Sequence, residues 1–341
     1  MKSVWVTAKR KIEVKEIQLS EPEYDEVIIK IMVCGICGTD LHFYNDYPEK
    51  KNTPLGHEVS GYIQKTGKGV TGFETGDAVI VQNHVPCGKC DSCLNGRYSL
   101  CTDIQTYMNA SSGMAEFLKV RKEMVIPFKN LNYVEAAIAE PVTVALDICR
   151  EAQLNAFQSI CISGPGIIGL SCVKIAKLCG VSKIAVLGRD FKSARGKKRI
   201  EAARNMGAHA AFDTDDPEWK ENVKKEFPDG IERIIITSPP ASIPDTFDIA
   251  SFGAVIVFNG ISYREEKITF NANFFHFKKL KLIASHAIPN WGFPTAFKLL
   301  EEKTINHKTL VTHTFPFDKI EEAFRTATSR EKGVIKVVVT F

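Results

Sequence analysis

The stretch Ser159–Gly169, which reads SICISGPGIIG, decides the fold of the second half of the chain. Its first five residues are mostly apolar and predict a short buried strand, and a Gly-x-Gly-x-x-Gly sequence follows before a helical segment at Leu170–Leu178. In that position the glycines allow a tight turn, close approach of a pyrophosphate and packing of the helix on the sheet. The positive end of the helix also favours phosphates. We therefore predict that these residues bind a dinucleotide: Gly164, Gly166, Ile167, Ile168 and Gly169.

Downstream of this strand–turn–helix segment, apolar strands alternate with helical segments. Strands are predicted at residues 183–187, 210–212, 233–237, 254–258 and 280–285. Such alternation is typical of a parallel sheet covered by helices, so we predict a doubly wound α/β domain over residues 146–285. Helices at Trp291–Glu302 and Phe317–Ala327 and a last strand at Lys336–Phe341 follow it.

The end of the second strand of this domain is expected to select the cofactor. Enzymes that use NAD carry an acidic residue about 20 residues after the glycine motif, where it binds the adenosine ribose. Here that position is Gly188, and Arg189 follows it. Arginine can stack on adenine and pair with a 2′-phosphate, so Gly188 and Arg189 favour NADP over NAD. Two alternatives stay open. Asp190 could reach the ribose in a shifted register, or the cationic side chains of this loop could simply be solvated. These cations are Arg189, Lys192, Arg195, Lys197 and Lys198.

Upstream, two neighbouring stretches offer metal ligands. Val33–His42 reads VCGICGTDLH, and Gly56-His57-Glu58 follows one loop later. A catalytic zinc ion needs about three protein ligands from sulfur, nitrogen and carboxylate oxygen, with one position left open. Cys37, His57 and Glu58 meet that requirement, although a single cysteine or histidine is more often a structural residue.

Four further cysteines lie within the fifteen residues 87–101, with two, two and seven residues between them. Four thiolates can close a tetrahedron around zinc and leave no position for water, which predicts a structural site. Disulfides or reactive thiols are the alternative interpretation. The predicted ligands are Cys87, Cys90, Cys93 and Cys101.

The first 145 residues otherwise have a β pattern. Short alternating runs at 12–17, 26–31, 59–63, 77–81 and 113–120, separated by glycine-rich turns, predict a compact antiparallel barrel. Tyr133–Arg150 has a helical pattern that Glu140-Pro141 interrupts. Since proline kinks a helix or starts a new one, Glu140 is expected to project from a bend.

The composition is that of a soluble protein of two domains. The chain has 341 residues, 44% hydrophobic and 25% charged, with a net charge of +4. This mild charge gives no reason to expect nucleic acid or membrane partners. We found no signal peptide and no apolar run approaching the ~18 residues of a membrane span, so a cytoplasmic location is expected. A reducing compartment also suits the ten cysteines.

Gly35–His42 together with Gly56-His57-Glu58 resembles the zinc-dependent medium-chain dehydrogenase/reductase family of alcohol, sorbitol and threonine dehydrogenases. The resemblance runs almost end to end. It implies a GroES-like catalytic domain at 1–145 and 286–341, an inserted Rossmann domain at 146–285, and two zinc ions, one catalytic and one structural. It also puts the Glu140 carboxylate beside the catalytic zinc, either as a ligand or holding its water. Asp147 stands where many family members carry histidine.

The resemblance also implies a mechanism. Zinc at Cys37, His57 and Glu58 is expected to lower the pKa of a substrate hydroxyl, and hydride then passes to the nicotinamide. Thr39 receives the hydroxyl proton and passes it through ribose hydroxyls of the cofactor to His42, a residue type that titrates near neutral pH. Asp40 is expected to orient the imidazole of His57.

Glu58 and Glu140-Pro141 indicate the branch that oxidises secondary alcohols. We expect a polyol or sugar as substrate, with a threonine-type or simple secondary-alcohol dehydrogenase as the alternative, and a homodimer or homotetramer. A zinc-binding interaction or nucleic-acid module would not explain the glycine motif, and an enone reductase without zinc would lack both metal clusters. A further alternative is a catalytically inactive structural relative, and only an activity assay distinguishes it from an active dehydrogenase.

Overall fold

A computed structural model describes residues 1–46, 52–262, 266–288 and 292–341. The chain divides into two compact units, and each is built from more than one segment. Unit 1 comprises Met1–Glu140, Ile288–Thr328 and Lys336–Phe341. Unit 2 comprises Pro141–Ala287 and Ser329–Ile335. Within the described part of the chain, no helix combines the length and the apolar character that crossing a membrane requires.

The strands, in chain order, are β1 (Lys2–Ala8), β2 (Lys11–Glu16), β3 (Glu26–Gly35), β4 (Thr53–Pro54), β5 (Glu58–Thr66), β6 (Ala78–Val81), β7 (His84–Val85), β8 (Gln105–Thr106), β9 (Phe117–Arg121), β10 (Val125–Pro127), β11 (Ser159–Ser163), β12 (Lys183–Gly188), β13 (Ala210–Asp213), β14 (Ile231–Ile236), β15 (Ala250–Phe258), β16 (Lys281–Ala284), β17 (Val311–Pro316) and β18 (Lys336–Thr340).

The α-helices, in the same order, are α1 (Gly38–Asp46), α2 (Asp91–Leu94), α3 (Tyr133–Ala137), α4 (Ala139–Glu151), α5 (Ile167–Leu178), α6 (Ala194–Met206), α7 (Trp219–Glu226), α8 (Ile243–Thr246), α9 (Ala272–Phe277), α10 (Phe293–Glu301), α11 (His307–Leu310) and α12 (Ile320–Thr328).

Unit 1 is organised around β3. This strand pairs with β5, β9 and β18 in a sheet of order β10-β6-β5-β3-β18-β17, and β2-β1-β4 form a smaller sheet beside it. Its sequence, EVIIKIMVCG, is rich in β-branched residues and most of it is buried, as a strand at the centre of a core requires. The β-rich fold expected from the sequence for this part of the chain is confirmed.

Unit 2 contains a parallel sheet of order β13-β12-β11-β14-β15-β16. The first strand of this sheet in sequence, β11, lies in the middle, so the chain winds outward in both directions, which is the doubly wound topology predicted from the alternation of strands and helical segments. Apolar residues of β14 and β15 form much of the core, among them Ile234, Ile236 and Ile256.

Three local features refine the sequence predictions. A helix, α1, begins at Gly38, inside the ligand stretch Val33–His42, for which no secondary structure was predicted. Residues 194–206 of the basic loop form α6, whose N-cap is Ser193. Pro141 lies in the first turn of α4, where its missing N–H costs nothing, so the proline starts a helix here. The predicted helix start at Trp291 lies outside the described residues, and α10 is described from Phe293.

Candidate functional site

The pairing of β3 with β5 brings the two predicted ligand stretches together. Its register places Gly35 opposite Glu58. A Cβ atom at Gly35 would lie 2.0 Å from Glu58 Oε2, so only glycine leaves room for this carboxylate. Cys37 follows the end of β3, and His57 precedes the start of β5. The sheet register therefore assembles the candidate metal site.

Cys37, His57 and Glu58 each offer a ligand atom, and these atoms all lie within 4.8 Å of one another. His57 and Glu58 are buried, with 5% and 1% of their surface exposed. His57 Nδ1 is buried without a hydrogen-bond partner among the described residues, which is costly for a polar atom unless something else binds it. The sulfur, nitrogen and oxygen donors are those that zinc takes in catalytic sites. The residues therefore fit a zinc ion.

The charge of Glu58 is balanced by a residue that the sequence analysis missed. Lys336, on the last strand, donates to the Glu58 carboxylate and to the Ile36 carbonyl, the latter at 2.9 Å. Lys336 is only 3% exposed, and although burial lowers its pKa, Glu58, Cys37 and Glu140 together raise it, so the net shift is upward. A lone lysine in the apolar run 334–339 was the available signal, because an isolated cation in a buried strand needs a partner.

Asp40 connects the two segments that carry the ligands. Its Oδ2 accepts the Cys37 N–H at 2.9 Å, and its Oδ1 accepts the Gly56 N–H at 2.8 Å. Burial raises the pKa of Asp40, and the neighbouring imidazole of His57 opposes that shift. Burial also disfavours the charged form of His57, but Cys37 and Asp40 raise its pKa well above the usual value. Asp40 thus fixes the backbone at Cys37 and next to His57, and it interacts electrostatically with the His57 imidazole.

Glu140 lies beside this cluster. Burial raises its pKa to about 7, His57 lowers it, Glu58 raises it further, and the Asn83 side chain hydrogen-bonds to it. Tyr107 is 7% exposed, and its hydroxyl has no hydrogen-bond partner among the described residues. Burial raises the pKa of Tyr107, and the charge of Glu140 adds to the shift. Neither Asn83 nor Tyr107 belongs to a motif, so no sequence signal pointed to these two residues.

The predicted relay residues lie together on α1. Thr39 and His42 are three residues apart, a spacing that puts side chains on one face of a helix. Thr39 is half-buried, and His42 is more open, with 39% of its side chain exposed and Nδ1 3.8 Å from Asp46 Oδ2. Helix α1 therefore begins next to Cys37 and carries Thr39 and the more exposed His42.

The four lobe cysteines also converge. Their sulfur atoms lie within 4.8 Å of one another, and Cys90 Sγ is 3.9 Å from Cys101 Sγ. A tetrahedron with Zn–S distances of about 2.3 Å has S···S edges of about 3.8 Å. Backbone N–H groups of Thr102 and Cys93 lower the pKa of Cys90 to about 6, while burial raises that of Cys93 to about 12. The geometry suits a closed four-sulfur site.

The glycine motif of unit 2 forms the turn between β11 and α5. Gly164 has φ +97°, a left-handed conformation that favours glycine. A Cβ atom at Gly169 would lie 2.1 Å from the Gly164 carbonyl oxygen, so the helix can pack on the turn only with glycine there. Gly166 is the N-cap of α5, and Ile167 and Ile168 form its first turn. The turn has the form of a phosphate-binding loop.

At the end of β12, the Arg189 side chain is 78% exposed and its Nε donates to Asp215 Oδ1 at 2.8 Å. A Cβ atom at Gly188 would lie 2.6 Å from the Phe191 ring, which leaves little room for an acidic residue. The Asp190 N–H is close to the Asp215 carboxylate at 3.1 Å, and the Asp190 carboxylate lies 3.9 Å from Arg330 Nη1.

The carboxylate of Asp147, in unit 2, accepts two side-chain hydrogen bonds. Its Oδ2 accepts the Ser285 hydroxyl at 2.7 Å, and its Oδ1 accepts from Arg150 at 2.8 Å. These bonds join α4 to the residue after β16.

Comparisons with known proteins extend over both units. Residues 23–130 match the model of the alcohol dehydrogenase GroES-like domain, and residues 168–302 match the zinc-binding dehydrogenase model. Sorbitol dehydrogenase of Bacillus subtilis strain 168 is 29% identical over 350 residues, covering 99% of this chain and 97% of the relative. Sorbitol dehydrogenase of Halalkalibacterium halodurans is 30% identical over 327 residues, covering 94% and 92%.

Among solved structures, the rspB alcohol dehydrogenase of Escherichia coli CFT073 with bound NADH is similar in fold and sequence. Its TM-score is 0.88 at 27% identity, and the match covers 100% of this chain and 99% of that chain.

Proposed function

This chain belongs to the zinc-dependent medium-chain dehydrogenase family, and we propose that it transfers a hydride between a secondary hydroxyl of a polyol, sugar or sugar derivative and NADP. The observation that carries the proposal is the buried cluster of Cys37, His57 and Glu58, with ligand atoms within 4.8 Å. It occurs in one chain with a Gly-x-Gly-x-x-Gly turn, and a zinc-dependent dehydrogenase needs both a metal site and a dinucleotide site.

When bound to this cluster, zinc supplies a Lewis acid that lowers the pKa of a substrate hydroxyl. Cys37, His57 and Glu58 hold the ion, and Asp40 keeps their segments in place through its bonds to Cys37 and Gly56. Lys336 holds the Glu58 carboxylate and neutralises its charge in the buried site. Glu140, held by Asn83, is a further ligand or binds the water of the ion.

Thr39 and His42 move the proton. Thr39 accepts the hydroxyl proton of the substrate, and His42, which is more exposed, delivers it to solvent. Their positions one helical turn apart on α1 support this order.

The four-cysteine lobe is proposed to hold a second, structural zinc ion. The Cys90–Cys101 sulfur distance of 3.9 Å supports this, because it is close to the edge of a zinc–thiolate tetrahedron.

The substrate class rests on the sorbitol dehydrogenase relatives and on the polar groups around the cluster. The buried Tyr107 hydroxyl has no partner among the described residues, and Glu140 lies in the same region. Both groups can hydrogen-bond to hydroxyls next to the reacting one, whereas an aliphatic chain would leave them unpaired.

The preference for NADP is supported by the residues after β12. With Gly188 at the end of β12, this position has no carboxylate that would bind the adenosine ribose and repel the 2′-phosphate of NADP. Asp215 engages Nε of Arg189, which leaves the two Nη groups of this exposed side chain available for a 2′-phosphate.

The experiment is a steady-state panel of polyols, sugars, sugar phosphates, threonine and simple alcohols, each with NADP and NAD. We expect the highest kcat/KM with a substrate that has vicinal secondary hydroxyls and with NADP, and Arg189→Ala should lose activity with NADP selectively. Arg204→Ala, which removes an exposed charge farther along α6, is the matched control.

A preference for primary aliphatic alcohols would contradict the substrate proposal, and threonine as the best substrate would favour the threonine-type alternative. A preference of the native enzyme for NAD would contradict the cofactor proposal.

We further propose a homodimer or homotetramer in a reducing compartment such as the cytoplasm. Exposed aromatic side chains in unit 2, Phe252 at 67% and Phe277 at 72%, support association, since such patches are costly in water. The ten free cysteines suit a reducing compartment. Light scattering of the purified protein tests the assembly.

A further inference from the structure

The side chain of Thr237, the residue directly after β14, lies against the glycine turn that follows β11. Its hydroxyl donates to the Gly164 carbonyl at 2.8 Å, and the Ser163 carbonyl lies 3.1 Å from the same hydroxyl oxygen. The backbone N–H of Thr237 also donates to the Ser163 carbonyl, at 2.8 Å. Because a hydroxyl has one hydrogen and the Ser163 carbonyl already accepts this backbone bond, the Thr237 hydroxyl serves mainly the Gly164 carbonyl.

The Gly164 carbonyl is enclosed on several sides. It accepts the Gly166 N–H at 2.9 Å in addition to the Thr237 hydroxyl, and these two bonds use both of its lone pairs. A Cβ atom at Gly169, in the first turn of α5, would lie 2.1 Å from the same oxygen. The orientation of the peptide unit that joins Gly164 to Pro165 is therefore fixed by the turn itself, by α5 and by Thr237.

Two glycines of the motif also contact the Thr237 hydroxyl directly. A Cβ atom at Gly164 would lie 2.8 Å from Thr237 Oγ1, and one at Gly169 would lie 3.1 Å from it. Both distances are shorter than ordinary van der Waals contact, so a larger residue at either position would push the hydroxyl away. The glycine turn and this hydroxyl consequently form one closely packed unit.

The turn leads into the backbone donors that a pyrophosphate would use. Gly166 is the N-cap of α5, and since glycine supplies no capping side chain, the N–H groups of Ile167 and Ile168 are left for a ligand. Their direction depends on the shape of the turn that precedes them. A loop that is already held in its bound conformation binds more tightly, because less ordering is needed on binding.

We propose that Thr237 is a positioning residue for the dinucleotide: its hydroxyl holds the Gly164 carbonyl and thereby keeps the glycine turn in the shape that receives the cofactor pyrophosphate. Thr237 acts through the backbone and not by touching the cofactor. This inference rests on the proposed role of the glycine turn in cofactor binding, but it applies equally to NAD and NADP, which share the pyrophosphate.

The test is isothermal titration of the full-length, zinc-loaded enzyme with NADP, NAD and ADP-ribose, which keeps the pyrophosphate and lacks the nicotinamide. Thr237→Val replaces the hydroxyl by a methyl group of similar size, and Thr237→Ser keeps the hydroxyl. Ser238→Ala is the matched control. The Ser238 hydroxyl bonds to that of Ser163 at 2.8 Å and so joins the same two strand ends, and its other partner is the Ser242 hydroxyl. A melting curve of each variant checks the fold, and Thr237→Ala takes the place of the valine variant if that one does not fold.

We expect Thr237→Val to weaken binding of all three ligands by about fivefold, the effect of losing one hydrogen bond. Thr237→Ser should restore native binding to within about twofold, and Ser238→Ala should stay equally close to native binding even where its melting temperature falls. In steady-state kinetics, Thr237→Val should raise the KM for the cofactor and leave kcat at saturating cofactor nearly unchanged.

Native affinity in Thr237→Val would overturn the proposal, because the hydroxyl would then not be needed. Failure of Thr237→Ser to restore binding would do the same. Equal weakening in Ser238→Ala would also count against it, since any loosening of the two strand ends would then have this effect. If the native protein bound neither cofactor, the proposed function would fail, and the positioning role of Thr237 would fail with it.

Discussion

At the scale of single residues, the cluster of Cys37, His57 and Glu58 depends on a buried ion pair. Lys336 and Glu58 are 3% and 1% exposed in their side chains and bind each other directly. Removing one member of a buried pair leaves the other charged and unpaired, which costs more than the pair itself contributes.

Lys336→Met should therefore destabilise the protein by about 3–5 kcal/mol, because the Glu58 carboxylate would lose its counter-charge in a buried place. The free energy of unfolding from urea denaturation measures this. Lys319→Met, which removes an exposed lysine of unit 1, is the control and should change stability little. Equal stabilities of the two variants would show that Lys336 does not neutralise Glu58.

Thr39 and His42 allow a second prediction at this scale. Thr39→Val should remove much of the turnover with zinc content intact, since the hydroxyl that accepts the proton is lost. His42→Ala should lose less, and mainly at low pH, where solvent replaces a base poorly. The pH dependence of kcat for both variants gives the answer, and profiles identical to that of the native enzyme would reject the relay.

At the scale of secondary structure elements, α3 is held by its N-terminal residues. Asn132 and Glu135 form a capping box, and the buried Glu135 carboxylate also binds Lys303 and, at 2.8 Å, His307 Nδ1 at the start of α11. Burial raises the pKa of Glu135, but the Lys303 and Asn132 hydrogen bonds lower it more, so the net shift is downward. The charge of Glu135 therefore ties α3 to the segment that leads into α11.

Glu135→Gln keeps the shape of the capping box and removes this charge. Because the pKa is lower in the folded state, the charge stabilises the fold above the usual glutamate pKa of about 4.3, and this contribution is lost as pH falls through the folded value. We expect a loss of about 1–3 kcal/mol at pH 7 that shrinks in acid.

Denaturation from pH 7 downward, with the exposed Glu301→Gln as control, measures the effect. A loss that stays constant as pH falls would mean that packing, and not charge, explains it.

At the scale of the whole molecule, the chain carries two clusters of candidate metal ligands with different surroundings. One consists of Cys37, which follows β3, His57, which precedes β5, and Glu58, the first residue of β5, and the other consists of four cysteines in a lobe. Metal analysis should accordingly give about two zinc ions per chain. Cys37→Ser should remove one ion and abolish turnover while the fold is kept.

Cys93→Ser should remove the other ion and mainly lower the melting temperature, because the binding energy of a closed structural site contributes to folding. Cys179→Ser, at an exposed cysteine outside both clusters, is the control for thiol loss. Turnover retained in Cys37→Ser would contradict the catalytic role of the first cluster.

The sequence by itself determined the parts of this protein that depend on short-range patterns. The glycine turn after β11, the cysteine spacing of the lobe and the Cys37, His57 and Glu58 ligands are encoded within a few residues each, because turns and metal sites need particular side chains at fixed offsets. Alternating apolar runs gave the strands and hence the two-domain α/β fold.

Only the tertiary structure decided which distant residues complete these sites. Lys336 and Glu58 are 278 positions apart, and Arg195 meets Arg330 through the late return of the chain to unit 2. Such contacts are set by strand register and by the path of the chain between its units, and a one-residue change in register would turn each side chain to the other face of its strand. Local sequence patterns do not record that register, so the partner of Glu58 and the contact between Arg195 and Arg330 emerge only from the folded chain.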